Sequence, residues 1–351
     1  RASSMLSIRN CDIGSWECDR VAGYDRKDDV QCHMNIRLIT PAPHGSRAGN
    51  RASANRWATI FRRLGHRVKV STDYEGEPAD LMVALHAWRS ASAIARFAAD
   101  FPDRPLVVVV TGTDAYRFIH SHRQVTLASL DAADHIVGLH PLLGNALPER
   151  LHDKLHIIVQ SARPLQNRRP AKRNFRVCFA GHLRKEKDPL RPALAVRKLP
   201  AESRLRVDAY GGAHSEKWVK AAQHEMQINP RFHWHGEISH AKLRRVYAHS
   251  HLLVLPSLME GGANVISEAV MAGLPVITSS IEGSVGLLGA DYPGYYPVKN
   301  TRALRERLLQ AESDNDYYAK LVDACEARRQ RFTPQREHAG WEQLLQDIQA
   351  A

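Results

Sequence analysis

The sequence predicts an α/β protein in which two Rossmann-like domains, each a doubly wound parallel sheet, face each other across a cleft. The chain has 351 residues and 44% hydrophobic side chains, enough to form two cores. Short apolar strands alternate with amphipathic helices, the pattern typical of parallel sheets. A Pro-rich, basic stretch over 163–174 interrupts this pattern and predicts a linker. Function is expected in the cleft, because doubly wound sheets bind ligands at the carboxyl ends of their strands.

The first series of strands predicts an N-terminal domain over 34–162. Residues 1–33 have no clear period and no apolar core of a signal peptide, so we expect a poorly ordered extension there. The domain's predicted strands lie at 36–40, 68–71, 81–86, 106–111, 135–139 and 156–160, with helices at 52–64 and 90–99.

The second series predicts a C-terminal domain over 175–313. Its strands are expected at 176–180, 205–210, 232–235, 252–255 and 275–278, with a helix at 239–248. The remaining segment, 314–351, has the pattern of helices broken near Pro334. We expect a tail of this kind to pack back on the N-terminal domain.

Composition narrows the class of partner. The net charge of +12 favours anionic partners such as phosphates, nucleic acid or membrane head groups. Only 7% of the residues are aromatic and no recognition helix is evident, which argues against nucleic acid. The longest apolar runs have strand length, so no membrane insertion is expected. The five cysteines are odd in number and scattered, which favours a reducing cytoplasm over a disulfide framework. We predict a cytoplasmic protein with small-molecule substrates and leave its oligomeric state open.

The segment 251–279, HLLVLPSLMEGGANVISEAVMAGLPVITS, carries the most specific motif. A predicted strand ends at Pro256, and two glutamates separated by seven residues follow, Glu260 and Glu268. The glycines between them allow a ligand to approach the backbone closely, and free amides at a helix N-terminus bind phosphate or sugar oxygens. The predicted donor-binding residues of this segment are Gly261, Gly262, Ala263, Asn264 and Glu268.

This segment resembles the donor site of the retaining glycosyltransferases typified by sucrose and glycogen-type synthases and lipopolysaccharide transferases. The resemblance implies the two-domain GT-B architecture and a nucleotide diphosphate sugar donor. It implies that Glu268 binds the ribose hydroxyls. Glu260 is expected beside the donor sugar, where it either hydrogen-bonds the sugar hydroxyls or stabilises positive charge at the anomeric carbon.

A second matching segment, FAGHLRKEKD, follows the first strand of the C-terminal domain. Arg184 and Lys187 are expected to neutralise the donor diphosphate and the departing nucleotide. The Lys lies six residues after Gly181, as in the family, but the family's Arg most often follows the Gly directly, where this chain has His182. By the same resemblance, Gly236 and Glu237 of the HGEI loop lie where the family's backbone contacts the base.

The N-terminal domain is expected to bind the acceptor. Its first loop, PAPHGSRAGNRASANRW, is rich in Gly and Arg directly before a helix, which predicts a phosphate-like site with Arg47 or Arg51 as the cation. At later strand ends, either His86 or Asp114 is expected to act as a general base or an orienting group. The predicted acceptor-binding residues are Gly45, Ser46, Arg47, Gly49, Asn50, Arg51, Thr111 and Thr113.

A narrower resemblance rests on RWA, ALHAWRS, TGTD, QSARP, EGGANVISEA and LLGADYPGYYP. From about Met34 to the C-terminus the chain is similar to the selenosugar synthases of selenoneine biosynthesis. That resemblance implies transfer of selenophosphate to the anomeric carbon of a UDP-sugar, typically UDP-N-acetylglucosamine, with release of UDP and phosphate. His86 is then expected to orient the acceptor without deprotonating it.

Two alternatives stay open at this stage. One is a family 4 glycosyltransferase that moves a sugar to a hydroxyl of a glycan, lipid or small molecule. The other is a nucleotide-sugar binding protein without catalysis. No metal site or cofactor is predicted, because the closely spaced histidine pairs lack neighbouring carboxylate or Cys sets and Arg and Lys are available for the diphosphate.

Overall fold

A computed structural model describes residues 33–350 of the chain. It contains two six-stranded sheets in which every strand pairing is parallel, flanked by helices. The predicted fold class, two doubly wound α/β domains, is therefore confirmed. The expectation of a poorly ordered extension over 1–33 lies outside the described residues, except for His33.

The N-terminal sheet has the strand order β2-β1-β3-β4-β5-β6. Its apolar side chains are buried on both faces, as expected of a parallel sheet covered by helices on each side. The strands are β1 Asn35–Ile39, β2 Arg67–Ser71, β3 Leu81–Leu85, β4 Leu106–Val109, β5 His135–Gly138 and β6 Leu155–Ile157. The helices are α1 Gly49–Arg63, α2 Ala91–Asp100, α3 Ile119–Ser121 and α4 Arg123–Asp131, with a π-helical turn at Asp114–Phe118 and 3₁₀ turns at Pro141–Ala146 and Glu149–Lys154.

The C-terminal sheet has the order β12-β11-β10-β7-β8-β9. The five predicted strands are present, and the structure adds a sixth, β12, which is too short to show an apolar period. The strands are β7 Phe175–Ala180, β8 Leu205–Tyr210, β9 Phe232–Trp234, β10 Leu252–Leu255, β11 Val276–Ser279 and β12 Tyr295–Tyr296. The helices are α5 Arg191–Val196, α6 Glu216–Ile228, α7 His240–His249, α8 Asn264–Met271, α9 Glu282–Leu288, α10 Thr301–Ser313, α11 Asn315–Glu326 and α12 Pro334–Ala350, with 3₁₀ turns at Lys185–Lys187 and Arg329–Phe332.

The C-terminal segment divides between the two cores. Helix α11 contributes Leu321 and Cys325 to the core of the C-terminal half. Helix α12 returns to the N-terminal half, where Trp341 packs against Trp57 and Phe61 of α1 with ring centroids 5.1 and 5.0 Å apart. The chain therefore crosses between the halves twice, once along 158–174 and once before α12.

Several element ends differ from the predictions for local reasons. Helix α1 begins at Gly49, three residues earlier than expected, because Arg51 and Ala52 already donate their amides to the carbonyl of Ala48. Strand β3 ends at Leu85, because His86 has a φ of 76°, outside the strand region. Among residues 33–350, no helix is both long enough and apolar enough to span a bilayer.

Candidate functional site

A cleft of about 680 Å³ lies between the two halves of the chain, where the carboxyl ends of both sheets meet. Both halves line it, so it matches the location that the sequence predicts for function. The predicted site residues that line this cleft are Ser46, Arg47, Gly49, Asn50, His86, Thr111, Thr113, Arg184, Lys187, Glu237, Glu260, Gly261, Gly262, Ala263, Asn264 and Glu268. Four predicted residues do not line it: Gly45, Arg51, Asp114 and Gly236.

Glu260 follows β10 and is held by two hydrogen bonds. Its Oε1 atom lies 2.5 Å from the Lys187 ammonium and accepts a hydrogen bond from Ser257 at 2.5 Å. The carboxylate is largely buried, yet it reaches the cleft. Lys187 therefore forms an ion pair with Glu260 inside the cleft.

The loop after Glu260 touches the N-terminal half backbone to backbone. A Cβ atom added at Gly112 would collide with the amide nitrogen of Gly261, and a Cβ added at Gly261 would collide with that of Gly112. A Cβ at Gly262 would overlap the Leu139 side chain. The close approach of the two halves therefore requires glycine at these positions. The lack of side chains also allows a ligand to approach the backbone.

Glu268 lies in the second turn of α8. Its Oε2 atom accepts a hydrogen bond from the Tyr247 hydroxyl at 2.9 Å, and His240 approaches Oε1 at 3.3 Å. The hydrogen bond to Glu268 raises the pKa of His240 above its usual 6.5. The first turn of α8 has no side-chain cap, so its amides are available to an oxyanion in the cleft.

The basic loop after β7 has one arginine without an ion-pair partner. Among the described residues, Arg184 makes no ion pair, and its Nε atom is buried without a hydrogen bond. Burial lowers the pKa of the neighbouring His182 imidazole, which is neutral near pH 7 as a result. Next in this loop, Glu186 forms a 2.6 Å ion pair with Arg117 of the N-terminal half. This pair joins the loop to the opposite wall.

His86 lies in a polar cluster with Asp114, Thr113 and the Arg89 amide, which donates a 3.2 Å hydrogen bond to His86 Nδ1. His86 Nδ1 lies 2.6 Å from Asp114 Oδ1, and His86 Nε2 lies 3.0 Å from the Thr113 hydroxyl. Asp114 also accepts hydrogen bonds from the amide and hydroxyl of Thr111 at 3.0 and 2.9 Å. Asp114 is buried and lies off the cleft, whereas Thr113 lines the cleft.

His86 has a left-handed backbone conformation, which costs a residue other than glycine about 1–3 kcal/mol. Hydrogen bonds and ring stacking around the turn stabilise this conformation. Ser90 donates its hydroxyl to Leu85 O at 2.6 Å and its amide to His86 O at 3.0 Å, and Trp88 stacks on Phe118 at 4.2 Å. Strain of this kind is typical of functional sites.

The Gly- and Arg-rich loop lies beside the start of α8, because Gly49 faces the Asn264 side chain. Asn264 in turn accepts a hydrogen bond from Arg56 at 3.1 Å. Arg51 is 7% exposed, and within the described part of the chain its guanidinium makes no hydrogen bond or ion pair. It lies behind the cleft lining, whereas Arg47 lines the cleft directly.

The cleft residues that the sequence prediction does not include have among them Arg89, His214 and His240. Each follows the carboxyl end of a strand, β3, β8 or β9, by a few residues. That position was the available signal. Across residues 33–350, no group of three or more His, Cys, Asp or Glu side chains is arranged to hold a metal ion.

Comparisons with known proteins agree with this geometry. The family model described as "Glycosyl transferases group 1" matches residues 164–328. This segment is similar to a glycosyl transferases group 1 domain and is named the group 1 domain on that basis. It contains Arg184, Lys187, Glu260 and Glu268, so the basic loop and the Glu260–Glu268 motif lie within the group 1 domain. No curated protein matches the chain in sequence.

Solved structures show the same fold over nearly the whole chain. Sucrose-phosphate synthase from Thermosynechococcus elongatus has a TM-score of 0.76 at 17% identity, covering 91% of this chain and 100% of its own. Anabaena HepE in complex with UDP and glucose has a TM-score of 0.71 at 16% identity, with the same coverage of 91% and 100%. The pneumococcal O-GlcNAc transferase GtfA, bound to UDP and GlcNAc, has a TM-score of 0.64 at 16% identity and covers 86% of this chain and 61% of its own. The chain thus has the two-domain GT-B architecture, with its group 1 domain as the C-terminal half.

Proposed function

We propose that this protein joins selenophosphate to the anomeric carbon of a UDP-sugar, with UDP-N-acetylglucosamine as the expected donor, and releases UDP and phosphate. The observation that carries the proposal is that both walls of the cleft have a cation without an ion-pair partner among residues 33–350, Arg184 on one wall and Arg47 on the other. A donor diphosphate would pair with Arg184 on the first wall. A small, highly charged acceptor accounts for the second, and the segments that resemble selenosugar synthases support selenophosphate as that acceptor.

The donor is expected to lie against the group 1 domain. Solved relatives of this fold contain UDP, which supports a uridine nucleotide here. Glu268 then accepts the ribose hydroxyls, and the uncapped amides of α8 bind phosphate oxygens. Arg184 and Lys187 neutralise the diphosphate, and Gly236 and Glu237 lie by the base.

Glu260 is expected beside the donor sugar. When the diphosphate attracts Lys187, the Glu260 carboxylate keeps its hydrogen bond to Ser257 and regains negative charge toward the cleft. A carboxylate there stabilises the positive charge that develops at the anomeric carbon as its bond to the leaving group stretches. The Lys187–Glu260 pair therefore links donor binding to stabilisation of the transition state.

The reaction exchanges one bond at the anomeric carbon. A lone pair of selenium forms the carbon–selenium bond, and the bond from that carbon to the β-phosphate oxygen breaks, so UDP leaves with the electron pair. Breakage of the selenium–phosphorus bond by water then accounts for the released phosphate. Selenophosphate is already anionic, so His86 and Thr113 orient the acceptor without removing a proton.

The test is mass spectrometry of reactions that contain UDP-N-acetylglucosamine with selenophosphate, with thiophosphate or with no acceptor. We expect a selenium-bearing sugar, UDP and phosphate in the reaction with selenophosphate. The reaction with thiophosphate gives either no product or the sulfur analogue of that sugar. Tight binding of the UDP-sugar without such a product would refute the selenium acceptor and leave the GT-B fold in place. Arg47→Ala is expected to weaken the acceptor and to leave donor affinity intact.

A second candidate is transfer of the sugar to a hydroxyl group. The observation that favours it is the cluster of Asp114, His86 and Thr113, which has the contacts of a general base with its orienting carboxylate. A hydroxyl acceptor has a proton to lose, and His86 Nε2 would receive it through Thr113. Replacement of His86 by Gln distinguishes the two candidates, because it should abolish transfer to a hydroxyl but only weaken a reaction that needs no base.

A further inference from the structure

Arg89 extends from a rigid turn into the cleft. The turn follows β3 and is fixed by the hydrogen bonds of Ser90, by the stacking of Trp88 on Phe118, and by a 3.2 Å hydrogen bond from the Trp88 amide to Asp114 Oδ1. The Arg89 side chain is exposed and lines the cleft. Within residues 33–350 it makes no hydrogen bond or ion pair. A fixed backbone thus presents a cation that has no partner among the described residues.

The wall opposite Arg89 has an arginine and two histidines, together with the carboxylates of Glu186 and Glu237. The rings of His182 and His214 lie 5.2 Å apart there, beside Arg184. Burial lowers the pKa of His214, and Arg184, His182 and Arg89 lower it further. Arg89 and Arg184 therefore both act on one imidazole, although they belong to different halves of the chain.

Arg89 differs from the two cations that are expected to bind the donor diphosphate. Lys187 already has a carboxylate partner in Glu260 at 2.5 Å, and Arg184 lies in the same loop, next to where the donor diphosphate is expected. Arg89 comes from the other half of the chain, and no part of the donor is expected to bind it. An exposed guanidinium with no partner among residues 33–350 can pair with a second anionic ligand in the cleft.

We propose that Arg89 binds the phosphoryl group of the acceptor, so that the cleft holds two phosphorylated ligands at once, the donor diphosphate and an anionic acceptor. The inference rests on the proposed function, because it takes the donor to be a UDP-sugar and the acceptor to carry phosphate. A neutral hydroxyl acceptor would offer Arg89 no anionic partner. Arg89 thereby determines the substrate class of the acceptor.

The test uses thiophosphate, which carries the same phosphoryl group, titrated by calorimetry into protein saturated with UDP. We expect Arg89→Met to weaken thiophosphate at least ~10-fold and to change UDP affinity less than ~2-fold, with Arg89→Lys in between. Arg63→Met is the matched control, since Arg63 is an exposed arginine away from the cleft, and it should change neither constant. Circular dichroism and thermal unfolding report whether each variant is folded.

Three other outcomes would overturn the inference. Equal weakening of UDP and thiophosphate by Arg89→Met would assign Arg89 to the donor diphosphate. No effect on thiophosphate, or no thiophosphate binding to the folded, UDP-saturated wild type, would remove the second phosphoryl site. The proposed function fails separately: wild-type protein that binds thiophosphate through Arg89 but yields no selenium- or sulfur-bearing sugar would refute the reaction and retain the site.

Discussion

Gly112 of the N-terminal half and Gly261 of the group 1 domain meet backbone to backbone across the cleft. Neither position has room for a methyl group, because each added Cβ would collide with the amide nitrogen of the other residue. The contact lies beside Glu260 and Thr113, which come from opposite halves. The separation of the two walls is therefore set by two residues without side chains.

Gly112→Ala should force the halves apart by about the size of a methyl group. We expect kcat to fall at least ~100-fold, since small displacements of reacting groups have effects of this size, while UDP affinity changes little. Steady-state kinetics and calorimetric titration with UDP measure the two quantities. Gly144→Ala is the control, because its Cβ would make ordinary contacts at 3.5 Å or more. A normal kcat in the Gly112→Ala variant would show that this contact is not needed for turnover.

Glu268→Ala should weaken UDP by roughly 10- to 100-fold, the loss expected for hydrogen bonds to a charged group. The helix should persist, because Ala favours helix. Tyr247→Phe removes the hydrogen bond to Glu268 Oε2 but keeps the buried ring, and we expect a smaller effect from it. Calorimetry with UDP, together with circular dichroism, measures both variants. Unchanged affinity in Glu268→Ala would exclude Glu268 from the donor site.

UDP affinity should rise with pH through the titration of His240. The Glu268 hydrogen bond raises the pKa of His240 above 6.5, against smaller opposing effects of burial, Arg244 and Arg56. The ion pair is complete below pH 6.5 and is lost as pH increases through the raised pKa. Its loss frees Glu268 for the ribose. Calorimetric titrations with UDP between about pH 5.5 and 8.5 test this in the wild type and in His240→Gln. The variant lacks the imidazole, so its pH dependence gives the contribution of the UDP phosphate's own ionisation. Parallel curves for the two proteins would contradict the competition.

Glu337→Ala should destabilise the packing of α12 on the N-terminal half by about 3 kcal/mol. The buried Glu337 carboxylate accepts hydrogen bonds from Trp57 at 2.8 Å, from Arg56 at 3.1 Å and from the Ser161 amide at 3.0 Å. Urea unfolding measures the loss, and limited proteolysis should show earlier release of α12. Glu342→Ala on the same helix is the control, with a more exposed side chain. Similar unfolding free energies for both variants would contradict the role of Glu337.

Chelators should leave the transfer rate unchanged, because Arg184, Lys187 and the α8 amides supply the positive charge that a diphosphate needs. Dialysis against EDTA, followed by rate measurements with and without added Mg²⁺ or Mn²⁺, tests this expectation. A rate that falls after dialysis and recovers with either ion would show that a divalent cation takes part.

The sequence by itself determined the fold class and the donor-side motif. Alternating strands and helices leave few arrangements for parallel sheets, since crossovers must cover both faces with helices. The Glu260–Glu268 segment has fixed spacing within one strand–loop–helix unit, so its local geometry follows from adjacent residues. The short strand β12 was missed, because two tyrosines carry no period.

Only the tertiary structure decided which groups meet across the cleft. Asp114 lies behind His86 and does not line the cleft, and the contact between Gly112 and Gly261 joins residues 149 positions apart. Arg89 and Arg184 act on the same histidine from different halves. Local periodicity reports which face of an element is buried, but it has no information about the distance between two domains. That distance is set by side-chain volume and backbone contact at the interface, which exist only in the folded chain.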